Sequence, residues 1–110
     1  MPEYKTGDVI LVNFPYEDDL LQSKFRPAVV LTMSDDKLRV AALKVTTKVV
    51  RNESDCAINN WESAGLLKPS VIRTAKRASI TASAIVRRLG TLSDKDSLEM
   101  LKTYKNAKGE

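Results

Sequence analysis

The sequence predicts a mainly β fold, a small antiparallel β-barrel with one C-terminal α-helix. Short apolar segments recur at regular spacing with turn residues between them, as in a meander of strands. Only the C-terminal stretch changes from an alternating period to a helical one. The chain has 110 residues, 43% of them hydrophobic and 29% charged. That suits a single folded domain over residues 1–110 with one modest core and not two.

The first strand is Val9–Phe14. Val9 and Leu11 point one way, Ile10, Val12 and Phe14 the other, so the strand requires burial on both faces or contact with a partner. Gly7-Asp8 precedes it as a turn signal, and Pro15 ends it because proline cannot donate to a ladder. Residues 16–27 read as a long polar loop with consecutive acids at Glu17–Asp19, and long loops in compact domains often carry function. Ala28–Thr32 is the second strand, Ser34-Asp35-Asp36 a tight turn, and Leu38–Val45 the third strand. If alternation persists, Thr46 shares a face with Lys44 and Ala42. Arg51–Asp55 is a loop, Cys56–Ile58 a short strand, and Asn59–Ala64 one helical turn stopped by Gly65. Ser70–Ala75 and Ile85–Leu89 complete the strands. Ser93 and Asp96 resemble a capping box with a shortened acid. The stripe Leu98, Met100, Leu101 and Tyr104 then predicts a helix over about 93–105, lying on the sheet.

Composition excludes much chemistry. There is no histidine and a single cysteine, Cys56. A Ser-His-Asp triad, a Cys-His pair and a histidine-based ribonuclease mechanism are all impossible, and the usual zinc sites lack ligands. The four glycines are scattered, so no glycine-rich phosphate loop exists. No metal and no cofactor are expected. The longest apolar runs are four residues, far short of the roughly 20 a membrane span needs. A lone cysteine and the lack of a signal-peptide layout point to the cytoplasm. The formal net charge is +4, and residues 63–93 hold six basic side chains and no acid. Such a stretch suits a polyanion-binding surface, or simply a solvated basic face.

Three stretches carry a family resemblance. They are Gly7–Tyr16 (GDVILVNFPY), Ser23–Leu31 (SKFRPAVVL), and Trp61–Arg73 (WESAGLLKPSVIR) with Ile85–Ser93 (IVRRLGTLS) after it. Their order and spacing resemble the MazF/PemK family of toxins of type II toxin–antitoxin systems, from about residue 5 to residue 104. The resemblance implies an SH3-like barrel, a homodimer, metal-independent cleavage of single-stranded RNA or mRNA at short sequences, and neutralisation by a cognate antitoxin protein. It also implies a catalytic arginine in the Arg-Pro motif, here Arg26, and a catalytic threonine at the end of the third strand, here Thr46. Lys44 stands where many members have proline, which leaves Thr47 as the alternative threonine.

RNA supplies its own nucleophile, the 2′-hydroxyl. An arginine fork can hold two phosphate oxygens, and a threonine hydroxyl can donate to the same phosphate. Tyr16 and Phe25 can stack unpaired bases, or pack the loop down. Lys24, Lys76 and Arg77 can track phosphates, Thr47 and Ser70 can line the site, and about four neutralised phosphates give a single-strand salt slope near −3. Trp61 reads as a packing residue and Cys56 as an inert thiol. Two other functions compete. One is a gyrase-poisoning toxin of the CcdB type, which acts by protein binding through a C-terminal tryptophan that this chain lacks. The other is a non-catalytic barrel that only binds RNA or protein.

Overall fold

The structure, a computed structural model, describes residues 3–15 and 23–107. Six strands form one antiparallel sheet: β1 (Asp8–Pro15), β2 (Ser23–Met33), β3 (Arg39–Thr46), β4 (Asp55–Ile58), β5 (Ser70–Thr81) and β6 (Ile85–Thr91). Helix α1 (Asp94–Ala107) follows. The strands lie in the order β4-β5-β3-β2-β1-β6. The fold is therefore mainly β with one C-terminal helix, as expected, but no ladder joins the outer strands β4 and β6 among the described residues.

Two glycines draw those outer ends together. Gly65 has φ +85°, and a Cβ there would overlap the Leu89 carbonyl of β6. A Cβ on Gly90 would likewise overlap the Ala64 carbonyl. Backbone thus lies on backbone at the seam, where any side chain would hold the two apart. Gly65 also ends the short turn after β4. Its amide donates to Glu62 O at 3.1 Å and the Leu66 amide to Trp61 O at 3.0 Å. Those two bonds are a Schellman cap on a turn too short to be a helix.

The core departs from expectation. Two buried clusters form instead of one, on opposite faces of the strands. Val9, Val29, Leu43, Val45 and Ile72 pack with Met100 of α1. Ile10, Val12, Ala28, Val30, Val40 and Ala42 pack with Tyr4 and Ile80. A strongly bent sheet covers its second face with its own strands, so a short chain manages both. The doubly apolar β1 is consequently buried within the chain, and its pattern gives no support to a partner. Trp61 packs against the first cluster, as read from the sequence.

Helix α1 starts where Ser93 Oγ accepts the Asp96 amide at 3.2 Å. Asp96 does not complete the reciprocal box. Its carboxylate is 1% exposed and accepts the amides of Asn59 (3.1 Å) and Asn60 (2.8 Å). It therefore fastens the turn after β4 to the helix. At the other end of the sheet, buried Asp8 accepts from the Lys5 amide, Thr91 Oγ1 and Arg88 Nε. That carboxylate ties β1 to β6.

Two strand limits differ most from the sequence reading. β2 begins at Ser23, five residues before the predicted Ala28, because β1 continues as its partner through the pair Pro15–Ser23. Of the predicted loop 16–27, residues 23–27 are thus strand, and residues 16–22, which include the acids Glu17–Asp19, lie outside the described residues. β5 runs on to Thr81, six residues past Ala75. Ala78 and Ile80 alternate with Arg77, Ser79 and Thr81, a period-two signal that the sequence reading missed, and β3 pairs with this stretch. Between Leu43–Arg77 and Lys44–Arg73 the register shifts, which leaves Thr74–Lys76 as a wide bulge on β5.

Gly65→Ala and Gly90→Ala are each expected to cost about 1–3 kcal/mol by overpacking the seam, with Gly65→Ala the costlier because its left-handed backbone adds strain. Urea unfolding of the two variants checks this.

Candidate functional site

The site follows from strand register. β1 and β2 pair with Arg26 opposite Val12 and Pro27 opposite Leu11. β2 and β3 pair from Met33–Val40 down to Ala28–Lys44, and the ladder stops there. Continuing that register by two residues on each strand would set Arg26 opposite Thr46. The residue at which the ladder stops is Pro27, which has no amide hydrogen to give. Beyond it β2 and β3 part, and a pocket of about 290 Å³ opens between their ends.

Arg26, Thr46, Thr47, Phe25 and Ser70 all line this pocket. The five come from β2, the end of β3 and the start of β5, so distant sequence positions converge. Phe25 is 60% exposed and offers an uncovered ring beside the cation. Lys48 also lines it, with Pro27 and Val45. The sequence reading missed Lys48, whose only signal was its place two residues after Thr46. Among the described residues no acidic side chain lines the pocket, and Arg26 and Lys48 are its described cations. No His, Cys, Asp or Glu group suited to a metal ion occurs among the described residues.

Hydroxyl bookkeeping separates the polar residues. Thr46 Oγ1 accepts the Lys48 amide at 3.2 Å, which leaves its own proton free to donate into the pocket. Ser70 Oγ donates to the Lys68 carbonyl at 2.8 Å. Its proton is committed, so Ser70 can only accept from a bound molecule.

Other expected site residues lie elsewhere. Tyr16 is outside the described residues, as is the side chain of Lys24. Lys76 is exposed on the β5 bulge. Arg77 turns to α1, where its Nη1 donates to Tyr104 Oη at 2.8 Å. It borders a separate groove of about 530 Å³ with Leu31, Leu98, Leu101, Lys102 and Lys105. The basic stretch 63–93 is thus not one surface. Arg73 pairs with Asp55 at 2.8 Å and Arg88 with Asp8 at 3.2 Å, while Arg88 also covers the Tyr4 ring at 5.2 Å. Alternation and the bulge scatter these charges over different faces.

Fold and pocket define a small, open β-barrel protein with a surface pocket at its strand ends that Arg26 and Lys48 line. The chain belongs to the family of PemK-like, MazF-like toxins of type II toxin–antitoxin systems, whose family model matches residues 5–106. Solved structures share the fold. An endoribonuclease in complex with its cognate antitoxin, from a Mycobacterial species, superposes with a TM-score of 0.78 at 13% identity, over 97% of this chain and 96% of that one. MazF from Deinococcus radiodurans gives 0.77 at 16% identity over 100% of both chains. The Mycobacterium tuberculosis toxin MazF-mt6 gives 0.71 at 19% identity, over 91% of this chain and 96% of that one. No curated protein sequence matches the chain.

The remaining reactive group is set apart from the pocket. Cys56 is buried in the first core cluster, and burial pushes its thiol pKa up, opposed by a hydrogen bond with Thr103. Native protein is expected to resist Ellman's reagent at neutral pH and to react fully in denaturant. The unfolded thiol loses its proton at lower pH than the folded one. Stability is therefore expected to decline as pH rises past the ordinary thiol range, which denaturation at pH 7 and pH 9.5 would read.

Proposed function

We propose that this chain is a metal-independent, sequence-specific endoribonuclease toxin that acts on single-stranded RNA in the cytoplasm. The observation that supports it most is the meeting of Arg26 and Thr46 in one pocket beyond the Pro27 break. The 2′-oxygen attacks the adjacent phosphorus, the bond to the 5′-oxygen breaks, and a 2′,3′-cyclic phosphate and a 5′-hydroxyl result. Arg26 neutralises the charge that gathers on the phosphate oxygens, and the Thr46 hydroxyl donates to one of them. Water exchanges the protons, since the described side chains of the pocket include no carboxylate, thiol or imidazole. Lys48 holds a flanking phosphate, the Phe25 ring stacks a base, and Ser70 accepts from a ribose hydroxyl or a base amine.

Partners follow from the family. A cognate antitoxin blocks the pocket, in keeping with the antitoxin-bound Mycobacterial endoribonuclease of the same fold. The active form is a homodimer. No helix among the described residues is long and apolar enough to cross a membrane. Nothing in the pocket favours the gyrase-poisoning reading or the silent barrel.

Incubation with long single-stranded RNA in EDTA is expected to give discrete fragments with cyclic-phosphate ends. Arg26→Ala and Thr46→Ala should each slow cleavage about 10²- to 10³-fold while the fold persists. Wild-type rates in both would overturn the assignment. RNA affinity should fall with salt, the log–log slope steepening by about −0.7 for each phosphate that Arg26, Lys48 and the other candidate cations neutralise. Binding titrations from 50 to 300 mM salt read that slope directly.

A further inference from the structure

One buried polar cluster takes no part in the chemistry above. Asp55 opens β4, directly after the 47–54 loop that carries Thr47 and Lys48. Its side chain is 3% exposed and that of Arg73 is 8%. Arg73 Nη1 donates to Asp55 Oδ2 at 2.8 Å, and the same oxygen accepts the Arg51 amide at 2.9 Å. Burying such a pair costs desolvation that its attraction barely offsets, and apolar side chains of like volume would join β4 to β5 equally well. Stability alone does not account for it.

Location does. Arg73 lies opposite both Lys44 on β3 and Asp55 on β4, and Val71 lies opposite both Thr46 and Ala57. Alternation puts these two rows on one face of the sheet. The ion pair therefore stands one row from Thr46, and its carboxylate reaches back into the loop. Polar bonds also hold the rest of that loop. The Thr74 amide and hydroxyl donate to the Ser54 carbonyl at 2.9 and 2.5 Å. The Lys48 amide donates to Thr46 Oγ1 at the loop's start. Between these ends Val49 and Val50 are exposed, so no apolar packing fixes the segment.

We propose that Asp55 is a positioning residue. By tying the Arg51 amide to the buried Arg73 guanidinium, it fixes the 47–54 loop, and through that loop the Lys48 ammonium and the Thr46 hydroxyl. The effect on cleavage rests on the ribonuclease reading above; the effect on the loop does not.

Two measurements on the whole chain test this. The first is limited trypsinolysis at Lys48–Val49 and Arg51–Asn52. Asp55→Asn should speed nicking at these bonds about tenfold or more, with other sites unchanged, because the loop opens without global unfolding. Should Asp55→Asn fail to fold, the apolar pair Asp55→Leu with Arg73→Met replaces it, since it leaves no buried charge. The second is a double-mutant cycle on kcat/KM for RNA cleavage. Asp55→Asn and Lys48→Ala should each lose about 10- to 100-fold. Combined, they should lose no more than about twofold beyond the larger single loss, because both act through one loop. Unchanged nicking overturns the proposal. So does an additive cycle, which would leave Asp55 a merely structural residue. If the wild-type chain cuts no RNA, the ribonuclease reading fails instead, and the nicking comparison alone decides the role of Asp55.

Discussion

A proline without an amide hydrogen, placed where the β2–β3 ladder ends, shapes the pocket end of this molecule. β2 pairs with β1 from Ser23 to Val29, but its ladder to β3 ends at the residue after Pro27. The register up to that point is regular enough to aim Arg26 at Thr46. The break then turns what would have been a cross-strand pair into two walls of a pocket. A continuous ladder would bring the strands to about 4.8 Å and leave no room for a phosphate between them. The Arg-Pro dipeptide is thus two devices in one, a cation and the gap it faces.

The rest of the fold holds that gap steady. Both faces of the central strands are buried, so register cannot slip by one residue without turning an apolar row out to water. The open seam between the outer strands is held by bare backbone at Gly65 and Gly90. Buried carboxylates do the remaining joining. Asp8 ties β1 to β6, Asp96 ties the turn after β4 to α1, and Asp55 ties the loop after β3 to β5. Each takes backbone amides or a neighbouring arginine as partner, which is what makes burial of a charge tolerable.

Much of this was legible in the sequence. Period-two segments located most strands, and the Ser93 cap with its apolar stripe located α1 to within two residues at its end. Gly65 was legible as a helical stop because a left-handed cap favours glycine. Arg26 and Thr46 were not legible from spacing, since they lie 20 residues apart and any strand carries threonine. They came from the family resemblance, and the fold sets both on the walls of one pocket. What stayed hidden depended on pairing. The continuation of β5 to Thr81 was missed although Ala78 and Ile80 alternate with polar neighbours, because the charged pair Lys76-Arg77 interrupts the apolar run before them. The apparent basic surface of residues 63–93 dissolved because neighbours along a strand face opposite ways and because Arg73 and Arg88 have buried acids as partners. Lys48 was missed because a loop residue has no periodicity to mark it.

The most direct test is a crystal structure with a short RNA whose scissile nucleotide carries 2′-deoxyribose and so cannot be cut. The account predicts one phosphate seated past Pro27, with the Arg26 guanidinium and Thr46 Oγ1 both about 3 Å from its oxygens. An RNA backbone lying instead along the α1 groove, held by Arg77 and Lys102 with nothing between Arg26 and Thr46, would contradict it.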